Sequence, residues 1–220
     1  MIIKILEHKI HRTEPSVLIN NNILINAPKF SKDVPVNHVL LTHTHKENLR
    51  GLSHVLPTPP QSLNIYLYKE HERWLKYHCP KIYLDACLKF ITPKKKFKIT
   101  DTEIVPISVQ HSVQKVYGTL CFAFLLDKRV MLCSPCNKIS NNSKKYFKDL
   151  DVLIIDGGYR KSRLYNDHNS IMESLVEFKN SNIKHIYFLG THGNYKIKGN
   201  IKDSDISVDT LVTGDIITIK

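Results

Sequence analysis

The chain has 220 residues, of which 42% are hydrophobic and 24% are charged. These values are typical of a globular protein with enough material for a layered core, and they exclude a low-complexity or fibrous chain. The formal net charge of +12 favours an anionic partner, either a phosphorylated small molecule or nucleic acid. No segment is apolar for long enough to span a bilayer and the N-terminus is too charged for a signal peptide, so we expect a cytoplasmic protein that binds no membrane.

The first part of the chain is rich in short predicted strands. Hydrophobic patterning predicts a hairpin turn at Asn20–Asn22 and a short helix over residues 69–78 that ends before Pro80. The run at residues 38–42 is nearly all apolar, as in a strand that is buried on both faces. Together, the strands predicted in this part are 2–6, 16–20, 22–26, 38–42 and 63–68.

The rest of the chain begins with strands and then alternates strands with helices. A weak helix is predicted over residues 143–150, and a clear helix over 170–180 begins with a capping box formed by Ser170 and Glu173. This order predicts an α/β fold with two sheets and helices packed outside them, in a single domain over residues 1–220. The strands predicted here are 103–109, 119–126, 130–134, 151–156, 184–191, 210–213 and 216–219.

The five cysteines are unevenly spaced, which favours reduced thiols over a disulfide framework in a chain without a secretory signal. Cys133 and Cys136 form a CxxC pair, but no second pair accompanies it, so a zinc knuckle is not predicted. A redox CxxC would open a helix, whereas this pair follows a predicted strand.

Five histidines stand at the ends of predicted strands or before a helix: His43, His45, His111, His168 and His192. Side chains at strand ends gather at one rim of a layered fold, where a site usually lies. Because His43 and His45 are two residues apart in extended chain, they point the same way and can bind one ion. Neutral imidazoles suit zinc, iron, manganese or nickel, so the pattern limits the metal without naming it.

The alternative is that these histidines are ordinary turn residues. Twelve histidines occur in the chain, so several fall at strand ends by chance. The spacing of His43 and His45 by itself leaves both interpretations open.

The sequence from Thr42 to Leu52, Thr-His-Thr-His-Lys-Glu-Asn-Leu-Arg-Gly-Leu, resembles the Thr-His-x-His-x-Asp-His-x-x-Gly-Leu motif of the metallo-β-lactamase fold superfamily. The resemblance covers nearly the full length and is greatest to the phosphonate-pathway cyclic phosphodiesterase branch. Three further segments match features of that branch, namely an Asp-Ala-Pro-like turn, a helix-opening His-x-Ser and the residues before the last ligand: Asn26–Pro28, His168–Ser170 and Leu189–His192.

The resemblance implies a four-layer αββα sandwich, with two mixed sheets, helices outside and metal at one rim. It implies that one ion is held by three of the histidines. A second position would be completed by a glutamate, a cysteine and the last histidine, so that one or two ions bind, with zinc favoured over manganese, iron or nickel. The implied ligands are His43, His45 and His111 for the first ion, with Glu47, Cys136 and His192 for the second.

Three residues depart from the family pattern at the second ion. Glu47 replaces an aspartate and keeps the carboxylate on a longer side chain. Asn48 replaces a histidine, and an amide is a poor ligand for zinc-type ions beside imidazole. Cys136 stands where an aspartate bridges the two ions, and it is either a thiolate ligand or a small buried hydrophobic residue. The three-histidine site is predicted, and the two-ion centre is left open.

The implied activity is hydrolysis of a small or cyclic phosphodiester through a metal-bound hydroxide, with His168 donating a proton to the leaving oxygen. The alternative is a catalytically impaired member of the same fold that binds a nucleotide, nucleic acid or a protein partner. A nuclease ranks last, because no stripe of aromatic and basic residues is evident along the sequence. A homodimer is a candidate assembly.

Overall fold

The computed structural model describes residues 1–7, 16–30, 33–57, 62–111, 120–133, 136, 138–158, 170–189 and 196–220. Contacts divide the chain into two compact units, residues 1–92 with 212–220 (unit 1) and residues 93–211 (unit 2). No described helix is long and apolar enough to cross a membrane. The single domain over residues 1–220 stays a prediction.

Most of the regular structure is β. The strands are β1 (Ile2–Glu7), β2 (Ser16–Ile19), β3 (Ile23–Ile25), β4 (Val34–Pro35), β5 (His38–Leu40), β6 (Val55–Leu56), β7 (Asn64–Tyr68), β8 (Cys87–Ile91), β9 (Phe97–Ile99), β10 (Thr102–Gln110), β11 (Leu120–Leu126), β12 (Val130–Cys133), β13 (Val152–Asp156), β14 (His185–Leu189), β15 (Lys198–Asn200), β16 (Ser207–Thr210) and β17 (Ile216–Thr218). The helices are α1 (Lys46–Leu49), α2 (Glu72–His78), α3 (Pro80–Asp85), α4 (Asn141–Lys144) and α5 (Ile171–Phe178), with short 3-10 turns at Leu52–His54, Lys69–His71 and Lys145–Phe147.

Unit 1 contains a mixed seven-stranded sheet in the order β17-β1-β2-β3-β5-β7-β8. The β2–β3 hairpin turns at Asn20 and Asn21, whose positive φ values of 48° and 55° suit asparagine better than most residues. Strands β3, β5 and β7 run parallel, with Ile25 opposite Leu40. Because parallel strands end at the same edge, the residues after β3 and after β5 come together there, and this edge carries the candidate site.

The core of unit 1 lies between this sheet and its helices. Val39 and Ile65, on the central strands, are fully buried and pack with Leu75 of α2. Leu49 of α1 and Leu52 join the same cluster. Burying such side chains contributes about 1.5–3 kcal/mol each. The segment that follows β5 is therefore held against the sheet by the leucines that flank it.

Unit 2 contains a mixed eight-stranded sheet in the order β15-β16-β14-β13-β12-β11-β10-β9. The β10–β11 pair is long and antiparallel, with Ile104 opposite Leu126 and Gln110 opposite Leu120. Strands β12, β13, β14 and β16 run parallel, as expected for apolar strands covered on both faces. Helix α5 packs on this sheet, and its Phe178 ring stacks on Phe147 at a centroid distance of 5.9 Å.

The predicted α/β fold with two mixed sheets and helices is confirmed, and so are most of the predicted strands. The strand predicted at residues 210–213 is wrong in position, since β16 ends at Thr210. A turn follows it, in which the backbone N–H of Val212 donates to the Asp215 carboxylate at 2.7 Å. The structure adds five strands that the pattern did not predict, four of them only two or three residues long and β8 with five: β4, β6, β8, β9 and β15.

Candidate metal centre

The segment after β5 carries the two histidines of the predicted metal site. His43 is fully buried, and His45 is partly exposed and precedes the first residue of α1. The backbone N–H of Asn48 donates to the carbonyl of His45 at 2.9 Å, which closes the turn. The two imidazole rings meet edge to face, with centroids 4.4 Å apart and planes at 79°. The extended spacing therefore places both rings side by side, as predicted.

A buried chain of hydrogen bonds fixes the imidazole of His43. The backbone N–H and the hydroxyl of Thr42 both lie 3.0 Å from Oδ1 of Asn26, which follows β3. The Thr42 hydroxyl also lies 2.9 Å from Nδ1 of His43. Asn26 and Thr42 are each 1% exposed, so burial makes an unsatisfied partner in this chain costly.

The direction of these bonds determines the tautomer of His43. Oδ1 of Asn26 accepts from the Thr42 backbone N–H, so it can only accept from the Thr42 hydroxyl as well. Because the hydroxyl donates its one proton to Asn26, its contact with His43 is a hydrogen bond that it accepts from Nδ1–H. Nε2 of His43 is then the unprotonated nitrogen, with its lone pair in the ring plane, which is the form that binds a metal ion.

The side chain of Asn48 supports the same ring from its face. Nδ2 of Asn48 lies 3.1 Å from both ring nitrogens of His43. An atom in the ring plane cannot be this close to both nitrogens without colliding with another ring atom, so the amide lies over the ring face, as an N–H donor to a π system does. The asparagine that replaces the family's histidine thus packs against a ligand, and its amide nitrogen leaves the in-plane lone pair of Nε2 accessible.

One polar atom of Asn48 is left without a partner. Asn48 is fully buried, and its Oδ1 accepts no hydrogen bond from any described residue. A buried acceptor without a donor costs about 1–3 kcal/mol. An ion with coordinated water beside His43 would supply the missing donor, so this atom agrees with a loaded site.

Glu47 points away from this arrangement. Its side chain is 42% exposed, and its carboxylate lies 3.8 Å from the guanidinium of Arg50 one turn later. A surface pair of this kind contributes about 0–1 kcal/mol. The side chain of Glu47, one methylene longer than the family's aspartate, therefore carries a carboxylate that is partly exposed to solvent. The assignment of Glu47 as a metal ligand stays a prediction.

His111 follows β10 and is 4% exposed. One nitrogen from each of His43, His45 and His111 lies within 4.8 Å of the other two. In the part of the chain that the structure describes, this is the only such group of three or more histidine, cysteine or acidic side chains. Three nitrogens bound to one tetrahedral zinc ion are about 3.4 Å apart, so small side-chain rotations would complete the coordination. The three-histidine site fits a metal ion.

Among the described residues, the predicted ligand Cys136 does not join this group. Cys136 is fully buried in the apolar core of unit 2, among residues such as Ile139 and Phe147. Its role as a ligand stays a prediction. His168 and His192 lie outside the described residues, and their predicted roles as proton donor and ligand stay predictions too. Sequence reasoning noted Asn26 only as part of a family-like turn and missed that it supports His43 through Thr42.

Fold and site together define a class: an α/β protein with two mixed sheets and a histidine triad able to bind a metal ion. Residues 15–188 match the sequence model of the beta-lactamase superfamily domain. The chain therefore belongs to the beta-lactamase superfamily, as its Thr42–Leu52 motif predicted. A comparison with curated proteins found no match.

Several solved structures share the fold. A diphosphatase from the PhnP family, the branch that the sequence motifs resemble, is 15% identical with a TM-score of 0.76, over 98% of this chain and 96% of its own. Unliganded yeast PDE1 is 12% identical with a TM-score of 0.70, over 99% of both chains. The short form of human tRNase Z is 10% identical with a TM-score of 0.67, over 100% of both chains. Identities this low establish the common fold alone.

Proposed function

We propose that the chain is a metal-dependent hydrolase that cleaves a phosphodiester, with one ion held by His43, His45 and His111. The observation that carries this proposal is the approach of the three imidazole nitrogens to within 4.8 Å. An open three-ligand zinc site lowers the pKa of bound water to about 7 and polarises a phosphoryl oxygen. Zinc is the favoured ion, and manganese, iron and nickel are the other candidates for three neutral imidazoles.

The residues around the triad support binding and orientation. Asn26 and Thr42 hold Nδ1 of His43 in its protonated form, and Asn48 holds the ring from above. His168 remains the proposed proton donor to the leaving oxygen. Two proteins of the same fold, a diphosphatase and a tRNase, have names that denote cleavage at phosphate groups, which supports a phosphate ester as the substrate.

The second candidate is a catalytically impaired member of the superfamily that binds a nucleotide, a nucleic acid or a protein. Two observations favour it: the carboxylate of Glu47 faces Arg50, and the amide of Asn48 packs on His43. Both arrangements favour a single ion, whereas a two-metal hydrolase uses two ions to stabilise both the attacking and the leaving oxygen.

Elemental analysis of the purified protein, with hydrolysis of bis(p-nitrophenyl) phosphate under added zinc or manganese, separates the two candidates. We expect close to one metal ion per chain and measurable turnover, both lost in His43→Ala. The matched control is His54→Ala, because the side chain of His54 is 45% exposed and pairs with the carboxylate of Asp33 at 3.2 Å on the surface. Bound metal without turnover under any ion would favour the impaired protein, and absence of bound metal would refute the site.

A further inference from the structure

Helix α2 carries a guanidinium and three aromatic rings on one side, of which Tyr77 is exposed and the other two rings are partly exposed. We call this group the α2 surface: Arg73, Trp74, Tyr77 and His78. Residues three and four apart lie on one face of a helix, and the opposite face is anchored by fully buried Leu75. The rings of Trp74 and His78 are nearly parallel, at 18° and 6.2 Å, and Tyr77 meets His78 at 5.0 Å. Tyr77 is 75% exposed, which is unusual for a large ring.

Cationic side chains accompany these rings. The guanidinium of Arg73 lies 5.2 Å from the Trp74 ring, and the ammonium of Lys76 lies 5.6 Å from the Tyr83 ring. Lys69 lies 4.2 Å from the Phe90 ring nearby in the same unit. Three of the four cation–π pairs found among the described residues therefore belong to α2 and its neighbours.

The negative charge of Glu72, in the middle of this region, is already balanced by a neighbouring cation. Glu72 forms a salt bridge with Lys69 and accepts the Tyr83 hydroxyl at 3.0 Å. These two hydrogen bonds, with the Lys69 contribution the larger, keep the pKa of Glu72 below its ordinary value. The charge that remains at the exposed face, from Arg73 and Lys76, is positive.

Helix α2, through the side that carries Leu75 and Cys79, lies next to the segment that carries two of the metal-binding histidines. Helix α2 contacts α1, which begins directly after His45. The thiol of Cys79, at the end of α2, donates to the carbonyl of Leu49 in α1 at 3.7 Å. A long substrate bound at the candidate metal centre would therefore have α2 as a neighbour within unit 1.

We infer that the α2 surface binds single-stranded nucleic acid by base stacking, and that the phosphodiester of the proposed reaction belongs to such a strand. The second half of this inference rests on the proposed function. Exposed rings beside cations are the combination that single strands require, since bases stack on the rings and phosphates meet the cations. An apolar protein partner would instead remove the charges of Arg73 and Lys76 from water without offering them an anion. The net charge of +12 agrees with a polyanion.

The test measures binding of a fluorescein-labelled 12-nucleotide RNA and the equivalent DNA to the full chain by anisotropy, without added metal. Tyr77→Ala is expected to weaken binding at least about fivefold, since a base stacked on a ring contributes about 1–3 kcal/mol. Tyr77→Phe keeps the ring and should stay within twofold. Arg73→Ala should reduce the slope of log K against log salt by about 0.7.

Lys145→Ala is the matched control for charge, because Lys145 also forms a cation–π pair, with Tyr146, but lies in unit 2. It should stay within twofold of the parent. Unchanged binding in Tyr77→Ala, or no binding of either strand at low salt, overturns the inference. If light scattering shows that the parent is a dimer and that Tyr77→Ala is a monomer, the inference is overturned and the α2 surface is a self-association interface.

The same variants distinguish this inference from the proposed function. Hydrolysis of bis(p-nitrophenyl) phosphate needs no stacking surface, so Tyr77→Ala should leave it unchanged while cleavage of the RNA or DNA falls. Loss of strand binding with no turnover on any substrate supports the surface and refutes the hydrolase. Turnover on the small substrate with strand binding that is insensitive to Tyr77 supports the hydrolase and overturns the surface.

Discussion

Replacing Gly51 by alanine is expected to destabilise unit 1 and the segment that holds the candidate metal site. A Cβ at this position would lie 1.7 Å from the carbonyl oxygen of Pro28 and 2.7 Å from Cδ2 of Phe30. A Cβ is essentially never found within 3.0 Å of another heavy atom, so the two backbone segments would have to separate by about 1.3 Å. The oxygen belongs to the backbone, so a side-chain rotation cannot relieve the contact.

The magnitude follows from the bonds that join the two segments. The N–H of Gly51 donates to the carbonyl of Ala27, and the N–H of Ala27 donates to the carbonyl of Asn48, both at 2.8 Å. Stretching both beyond hydrogen-bonding range costs about 1–2 kcal/mol each. Residual overpacking adds about 1 kcal/mol or more, so we expect the free energy of unfolding to fall by about 3–5 kcal/mol.

Urea unfolding followed by circular dichroism measures this change. With a slope of about 2–3 kcal/mol/M for a chain of this size, the midpoint should fall by about 1–2.5 M. The matched control is Ser53→Ala, an exposed position two residues later, which should change stability by at most about 0.5 kcal/mol. A loss below 1 kcal/mol in Gly51→Ala would refute the close approach as the reason for glycine.

Three further predictions concern the support of His43, an ion-pair cluster at Asp151 and the second metal position. Thr42→Val should lower metal affinity about 10- to 100-fold in chelator competition and change the 15N tautomer signature of metal-free His43, whereas Thr42→Ser should preserve both. Lys184 and then Arg129 hold the pKa of Asp151 below its ordinary value. The ionised Asp151 therefore stabilises the folded protein by about 1 kcal/mol above about pH 4, and this contribution is lost as the pH falls through the lowered pKa. Asp151→Asn should therefore flatten the acid limb of the stability curve, and an unchanged limb would contradict this. If the native site holds one ion, Asn48→His combined with Cys136→Asp should raise the turnover and should raise the metal content above one ion per chain. An unchanged metal content would show that other residues prevent binding of a second ion.

The positions of the strands and of the candidate ligands followed from local pattern. Apolar residues 39–40 and 152–155, within two of the predicted strands, are buried in the sheets, because their hydrophobic side chains are excluded from water only there. The period of two in extended chain placed His43 beside His45. Strand β15 was missed because its residues, Lys198–Asn200, carry no apolar signal and are all exposed. Strand β8 was missed although four of its five residues are apolar, and only Ile91 of them is buried.

The interpretation of the residues after His45 needed tertiary structure. Sequence alone showed that Glu47 and Asn48 differ from the family pattern, but not where their side chains point. The fold turns Glu47 toward Arg50 and lays Asn48 over the ring of His43. The four residues of the α2 surface lie within one short helix, but the sequence alone did not show which face of that helix is exposed. The burial of Leu75 decided that Tyr77 faces solvent.

The sequence by itself determined the fold class, the superfamily motif and three of the histidines that could hold an ion, because strand burial and extended spacing are local properties of the chain. Tertiary structure decided how those histidines are supported. Asn26 and Thr42 are sixteen residues apart, and they meet because β3 and β5 run parallel and end at the same edge. Such a contact depends on strand pairing between distant segments, which no local pattern specifies.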